Sequence, residues 1–292
     1  MTRPPTDKPS RIVDAHVHLW DPARSDWYPY LSGGRQLNMG DVSGMSRRFD
    51  VPTYLNESAG WNVQKLVNVA AATGRHSIDE TLELDQRGAT EGHPDAIVGG
   101  LPPTGSVSEA VELIDRQMAA PRFRGVRPMG VFEGPLPTDE ILRALAERSL
   151  VFELMTHPDR LQEAARGLES FDDLVVVVEH TGWPRSASDE EFALWKVGID
   201  ALAGLGDNIV CKLSGLAMPL GSMRADAFAP WLEHAIDAFG AGRCLFASNF
   251  PVDGIHGTFD ELCSTFNAVT SGLDNGARDQ IFATTAERIY RC

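Results

Sequence analysis

Short runs of Val, Ile, Leu and Phe recur along the chain, each followed by a stretch in which apolar residues return every three or four positions. The first run, Arg11-Ile-Val-Asp-Ala-His-Val-His-Leu19, ends in a strict two-residue alternation and predicts a strand. Further strands are predicted over residues 65–71, 96–101, 123–129, 150–155, 174–178, 208–213 and 243–247. Several are nearly continuous, such as Leu174-Val-Val-Val-Val178, as expected of parallel strands buried on both faces. Between them the 3.6-residue period predicts helices over 108–118, 138–148, 225–239 and 260–270. The first of these places Val111, Ile114 and Met118 on one face, and the second opens with Thr138, which can cap free amides. A strand–helix repeat sustained eight times favours a single closed (β/α)8 TIM-type barrel in the α/β class. An open doubly wound sheet is the rival, because periodicity does not show closure. No linker divides the chain, which reads as a polar tail over 1–10 and one domain over 11–292.

One interval breaks the rhythm. Residues 21–61 separate the first two strands and carry Trp27, Tyr28, Tyr30, Gly33, Gly34 and Trp61. A loop of that length in a compact unit is usually functional or disordered. Its aromatic content predicts a cover over one end of the barrel, against the alternative of an excursion packed on the outside.

Charge narrows the classes of partner. Of 292 residues, 26 are Lys or Arg and 41 Asp or Glu, a formal net charge of −15. So acidic a surface repels phosphate backbones and anionic membranes, so neither nucleic acid nor membrane is an expected partner. No apolar stretch approaches the roughly 18–20 residues of a membrane helix, and the opening ten residues lack the apolar core of a signal peptide. Cys211, Cys244, Cys263 and Cys292 form no paired pattern, so free thiols in a reducing cytoplasm are expected. A homo-oligomer stays open.

The candidate chemistry sits at predicted strand ends. Asp14, His16 and His18 occupy alternate positions of the first strand and are expected on one face. Two imidazoles can begin a zinc site, although catalytic zinc usually takes three protein ligands; two polar residues on a half-exposed strand are the plain alternative. Glu179 and His180 directly follow the four valines, and Gly182 and Pro184 set a sharp exit beyond them. His180 could bind a metal or donate to a substrate oxygen. Arg127 and Lys212 are cations in apolar strands and need anions, either a substrate carboxylate or an internal partner such as Asp14 or Glu153. His157 ends the fifth strand as a further substrate-binding candidate. His76, His93 and His234 read as surface residues.

The ordered elements I-V-D-A-H-V-H-L-W-D, F-R-G-V-R, E-H-T-G-W-P, C-K-L-S-G and F-A-S-N-F-P-V-D, closed by A-E-R-I-Y, cover nearly the whole chain from Arg11. Together they resemble the amidohydrolase superfamily, in its family-2 branch of pyrone-dicarboxylate and sugar lactonases and, more distantly, metal-dependent decarboxylases. The resemblance implies a (β/α)8 barrel with its site at the carboxyl ends of the strands. It matches His16 and His18 to the first-strand metal-type pair and His180 to the sixth-strand histidine. The family's last strand usually carries Asp where this chain has Asn249, and a neutral amide cannot take a proton from water. Asp253 is the candidate to supply that carboxylate. No lysine suits a carbamate bridge on the fourth strand, and the second strand ends in Ala70-Ala71-Ala72 without an acid. At most one divalent ion, zinc or manganese, is therefore expected on His16, His18 and His180, or none. The leading expectation is hydrolysis of a small carboxylate-bearing lactone or ester. Arg127, Lys212 and His157 would hold the anionic substrate, and His180, Asn249 and Asp253 would form the catalytic set. A metal-dependent decarboxylase or lyase, and a barrel that only binds its ligand, are the alternatives.

Overall fold

A computed structural model describes residues 7–31, 43–129 and 135–292. Eight strands follow the chain: β1 (Ile12–Val17), β2 (Val63–Val69), β3 (Ala96–Leu101), β4 (Phe123–Pro128), β5 (Val151–Leu154), β6 (Val176–Val178), β7 (Ile209–Leu213) and β8 (Cys244–Phe246). They pair in parallel in the order β1 to β8. A parallel bridge between Val17 and Phe250 brings the last strand back to the first, so the sheet curls into a barrel and the open-sheet alternative falls. Helices α1 (Val51–Glu57), α2 (His76–Glu91), α3 (Val107–Gln117), α4 (Asp139–Glu147), α5 (Pro158–Leu168) and α6 (Asp189–Ala203) lie among the first seven strands. The remainder are α7 (Ala217–Leu220), α8 (Ala225–Phe239), α9 (Phe259–Val269), α10 (Asn275–Asp279) and α11 (Thr285–Tyr290).

Two apolar layers follow from strand alternation. Phe152, Val176, Val178, Cys211 and Phe246 face the helices in the outer layer. Val13, Ala15, Val67, Val98, Val151, Val177, Val210 and Leu245 fill the barrel interior, joined by Ala283, Ala286, Ile289 and Tyr290 from the last turns of the chain. Arg11 and Lys65, at the amino-terminal ends of β1 and β2, both bind Glu287 of α11 at 2.7 Å. The chain terminus thus plugs the amino end of the barrel and leaves the carboxyl end for chemistry.

Local departures from the expected pattern have physical causes. The buried face of α3 is Ala110, Leu113, Ile114 and Gln117, whereas Met118 lies at its end, 46% exposed. Thr138 stands at the start of α4, but its side chain makes no capping bond to the helix amides. The long interval divides between its two readings. Residues 20–31 pack over the end of β2, with Tyr30 Oη donating to Ala71 O at 2.8 Å and Thr73 N to Trp27 O at 2.8 Å. By contrast, α1 packs outside the barrel, where Tyr54 meets Phe259 of α9 edge-on. Gly33 and Gly34 lie outside the described residues.

Candidate active site

The two first-strand imidazoles converge, and Asp14 does not join them. The pairing of β1 with β2 slips between Asp14 and Val17, so the alternation that would put Asp14, His16 and His18 on one face breaks there. Asp14 turns to the helical layer and accepts from Tyr54 Oη at 2.7 Å, Ser248 N at 2.8 Å and His16 N at 3.3 Å. It braces the start of the site from behind. His16 and His18 point inward with their Nε2 atoms 3.1 Å apart. His18 Nδ1 donates to Val69 O at 2.7 Å, which fixes its tautomer and makes its Nε2 the acceptor in the contact with His16 Nε2.

The sixth strand supplies two more groups. Glu179 continues the inward parity of Val177, and its carboxylate lies 3.5 Å from His16 Nδ1 and 3.5 Å from Arg127 Nη1. His180, next in sequence, would point away on a regular strand. It is turned in by left-handed backbone at His180 (φ 49°) and Thr181 (φ 54°), followed by Gly182 (φ 74°) and Trp183 (φ 42°). Non-glycine residues in that region store strain of about 1–3 kcal/mol each, a pattern concentrated at functional sites. Ser214 Oγ lies 3.0 Å from His180 Nδ1. Gly215 permits this packing, because a Cβ there would fall 2.7 Å from the His180 ring and its own φ is +69°. The His16 and His180 rings stand 4.6 Å apart.

Burial sets the electrostatics. His16, His18 and His180 are all pushed below the usual histidine range, His18 to about 3, first by desolvation and then by neighbouring cations and imidazoles. Neutral imidazoles are metal-ready ligands. Within this cluster His16 Nδ1 and both Glu179 oxygens are buried without a hydrogen-bond partner, an expensive state unless something else satisfies them. Ligand atoms of His16, Glu179 and His180 lie within 4.8 Å of one another, and His18 Nε2 lies 3.1 Å from His16 Nε2. A set of imidazoles and one carboxylate fits a single divalent ion such as zinc or manganese. Sequence reasoning alone gives Glu179 no role beside His180. The signal was its parity with Val177.

The cations are distributed differently from the sequence expectation. Lys212 is fully buried and donates to both Glu153 oxygens at 2.8 Å, while Tyr290 Oη donates to Glu153 from the plug at 2.5 Å. Its charge is paired inside the barrel with Glu153, the internal partner that the sequence left open beside a substrate carboxylate. Arg127 pairs with Glu179 rather than Asp14 or Glu153, donates from Nη2 to Ala70 O, and keeps Nε buried and unpartnered. It is the cation at the mouth next to the imidazoles. His157 caps the start of α5 at the rim; its Nδ1 donates to Trp183 O at 2.9 Å, and its ring lies 4.7 Å from the indole. His76, His93 and His234 are away from the cluster, facing Asp79, Asp95 and Asp200 respectively.

Beyond β8, Asn249 also adopts left-handed backbone (φ 57°). Its Nδ2 donates to Asp253 Oδ1 at 2.8 Å, and Asn249 N donates to His16 O at 2.9 Å. Asp253 is buried with Oδ2 unpartnered, and burial raises its carboxyl to about 7. The structure thus joins the two last-strand candidates through this bond and a second one from Asp253 N to Asn249 O at 3.1 Å.

Residues 13–292 match the Amidohydro_2 model, described as amidohydrolase. The chain belongs to this amidohydrolase family. Among relatives of this amidohydrolase, y4mH of Sinorhizobium fredii is 29% identical over 300 residues, covering 96% of this chain and 98% of the relative. The L-fucono-1,5-lactonase of Burkholderia multivorans is 26% identical over 303 residues, covering 95% of each chain. Among solved structures, a zinc-bound amidohydrolase from Burkholderia multivorans superposes with a TM-score of 0.80 at 23% identity, covering 97% of this chain and 99% of the other. At that identity the superposition establishes the barrel fold alone. No helix among the described residues is long and apolar enough to cross a membrane.

Proposed function

We propose that this amidohydrolase opens a small lactone with water, as the name of its 26%-identical relative L-fucono-1,5-lactonase suggests. The observation that carries the reading is a buried cluster of three neutral imidazoles and Glu179 beside the Arg127 guanidinium, in a barrel whose β8 turn holds a buried carboxyl near neutrality. His16, Glu179 and His180, with His18 behind them, would hold one divalent ion. When bound, it supplies Lewis acidity toward an acyl oxygen.

The chain's own residues do the rest. Arg127 orients the lactone through an oxygen of the ring or of a carboxylate substituent. Asp253 takes a proton from water as the water oxygen bonds to the acyl carbon. The ring C–O bond then breaks, and Asp253 returns the proton to the leaving oxygen, giving a hydroxy acid with the base regenerated. A base of pKa about 7 is well matched to that shuttle at neutral pH. Asn249 holds Asp253 Oδ1 and leaves Oδ2 for the water. His157 and Trp183 meet the substrate at the rim. Four free cysteines suit a reducing, cytoplasmic compartment.

The test is a panel of 1,4- and 1,5-sugar lactones and carboxylated pyrones, followed by proton release with zinc, manganese or chelator present. Saturable ring opening of one class is expected. No hydrolysis across the panel under any metal condition refutes the reading. Release of carbon dioxide from aromatic carboxylates would move the enzyme to the lyase alternative.

A further inference from the structure

The acid missing from the end of the second strand arrives from elsewhere. Beyond β2, Ala70 is still in the ladder through Ala70 N to Val98 O at 2.8 Å, but Ala71 and Ala72 have left it. Their amides are taken by Glu80 of α2: Ala71 N donates to Oε2 at 2.9 Å, and Ala72 N to Oε2 at 3.1 Å and Oε1 at 3.2 Å. Tyr28 Oη, from the aromatic cover, donates to Glu80 Oε1 at 2.9 Å. Tyr30 Oη donates to Ala71 O at 2.8 Å on the same segment. Each neighbour bonded to the Glu80 carboxyl can donate to it, and burial raises that carboxyl to about 7.

This side chain is 2% exposed and has no place in the chemistry proposed above. Burying a carboxylate is costly, so what it holds must matter to the fold or the site. What it holds is the segment whose first carbonyl, Ala70 O, receives Arg127 Nη2. Among the described residues, the carboxylate paired with Arg127 is Glu179 at 3.5 Å. The aim of the guanidinium into the mouth thus depends on where Ala70 O stands, and that depends on Glu80.

We propose that Glu80 is a positioning residue: by clamping the Ala71 and Ala72 amides and the Tyr28 hydroxyl together, it sets the direction of Arg127 and ties the aromatic cover to the barrel mouth. Its kinetic consequence rests on the lactonase reading, whereas its structural consequence does not. Glu80→Gln turns an NH2 group toward amide donors while keeping the side chain's shape. Tyr28→Phe removes one hydroxyl and keeps the packing, so it tests the clamp even where Glu80→Gln folds poorly.

The experiment has two arms on the full chain. Hydrogen–deuterium exchange is followed at peptides spanning 27–31 and 70–73. Both variants should exchange at least fivefold faster there, with the β6–β8 peptides unchanged; unchanged exchange at 27–31 and 70–73 overturns the clamp. The second arm is a double-mutant cycle on the lactone that the wild type opens. Glu80→Gln should lower kcat/KM about tenfold, chiefly through KM. In an Arg127→Met background it should change kcat/KM less than twofold, because its effect runs through a guanidinium no longer present. Losses that multiply in the double variant overturn the positioning role. Should the wild type open no lactone, that result counts against the lactonase reading, and the exchange arm alone decides the clamp.

Discussion

Asp253 offers the sharpest quantitative test, because the property that suits it to proton transfer also destabilises the fold. Burial raises its carboxyl from an ordinary value near 3.8 to about 7. The shift is upward, so the folded state binds the proton more tightly than the unfolded chain. Stability is then highest below the unfolded value and falls as pH rises through the window between the two. About three pKa units correspond to about 4 kcal/mol of destabilisation at pH 8, and to less than about 1 kcal/mol at pH 4. Asp253→Asn removes the charge and keeps an acceptor for Asn249 Nδ2, whose bond to Oδ1 is 2.8 Å long. The variant should therefore match the wild type near pH 4 and gain on it steadily toward pH 8. Urea unfolding at pH 4, 6 and 8 reads the difference directly. At a few degrees of Tm per kcal/mol, thermal scans at pH 8 should show a rise of roughly 8 °C or more. The same substitution should reduce lactone turnover by about 100-fold or more, since general acid–base groups contribute on that order. Stability curves that run parallel in pH would show that Asp253 is not held at a raised pKa. Retained turnover would remove it from the proton shuttle.

Other substitutions probe the remaining parts of the site. Gly215→Ala should cost roughly 2 kcal/mol or more and abolish turnover, because its Cβ would meet the His180 ring at 2.7 Å on a residue with φ +69°; wild-type stability in urea would contradict the packing. Zinc added to chelator-treated protein at a hundred times its Kd should stabilise it by about 2.7 kcal/mol. Glu179→Gln should weaken that binding at least tenfold, and an unaltered zinc titration by calorimetry would remove Glu179 from the donor set. Lys212→Met alone should cost about 3–5 kcal/mol by leaving Glu153 buried without its cation, whereas Lys212→Met with Glu153→Gln should recover most of the loss. Equal unfolding free energies for the single and double variants would refute the pairing.

The barrel was legible because apolar runs and helical periods report burial directly. β3 and α8 fall on the residues their patterns predict, Ala96–Leu101 and Ala225–Phe239. The site was legible only as far as strand parity holds. Parity places His16 and His18 together, and it would have named Glu179 as the inward neighbour of Val177. It misplaces Asp14, because the register slip lies beside that residue and leaves no mark in composition. It would also turn His180 outward. What brings that ring inward is the left-handed backbone at His180 and Thr181, signalled only by Gly182 and Pro184 just beyond.

Charges were the least legible feature, for a physical reason. A buried cation announces that it needs an anion but not which one, since the answer depends on how strands far apart in sequence come into register. Lys212 finds Glu153 because β5 and β7 flank β6 and both side chains face the interior at the same level. Arg127 finds Glu179 two strands away. With those pairs formed, Glu179 and Glu153 each face a cation beside the three neutral imidazoles, while Asp253 adds a buried carboxyl near neutrality. A divalent ion that takes Glu179 there competes with Arg127 for the carboxylate. Arg127 then has two claimants, Glu179 and the substrate. A substrate oxygen that draws the guanidinium off Glu179 frees that carboxylate for the ion, so lactone and metal should each tighten the binding of the other. Calorimetric titration of zinc, with and without a non-hydrolysable lactam analogue, reads this coupling: several-fold tighter binding is expected, and identical constants would show that Arg127 does not leave Glu179.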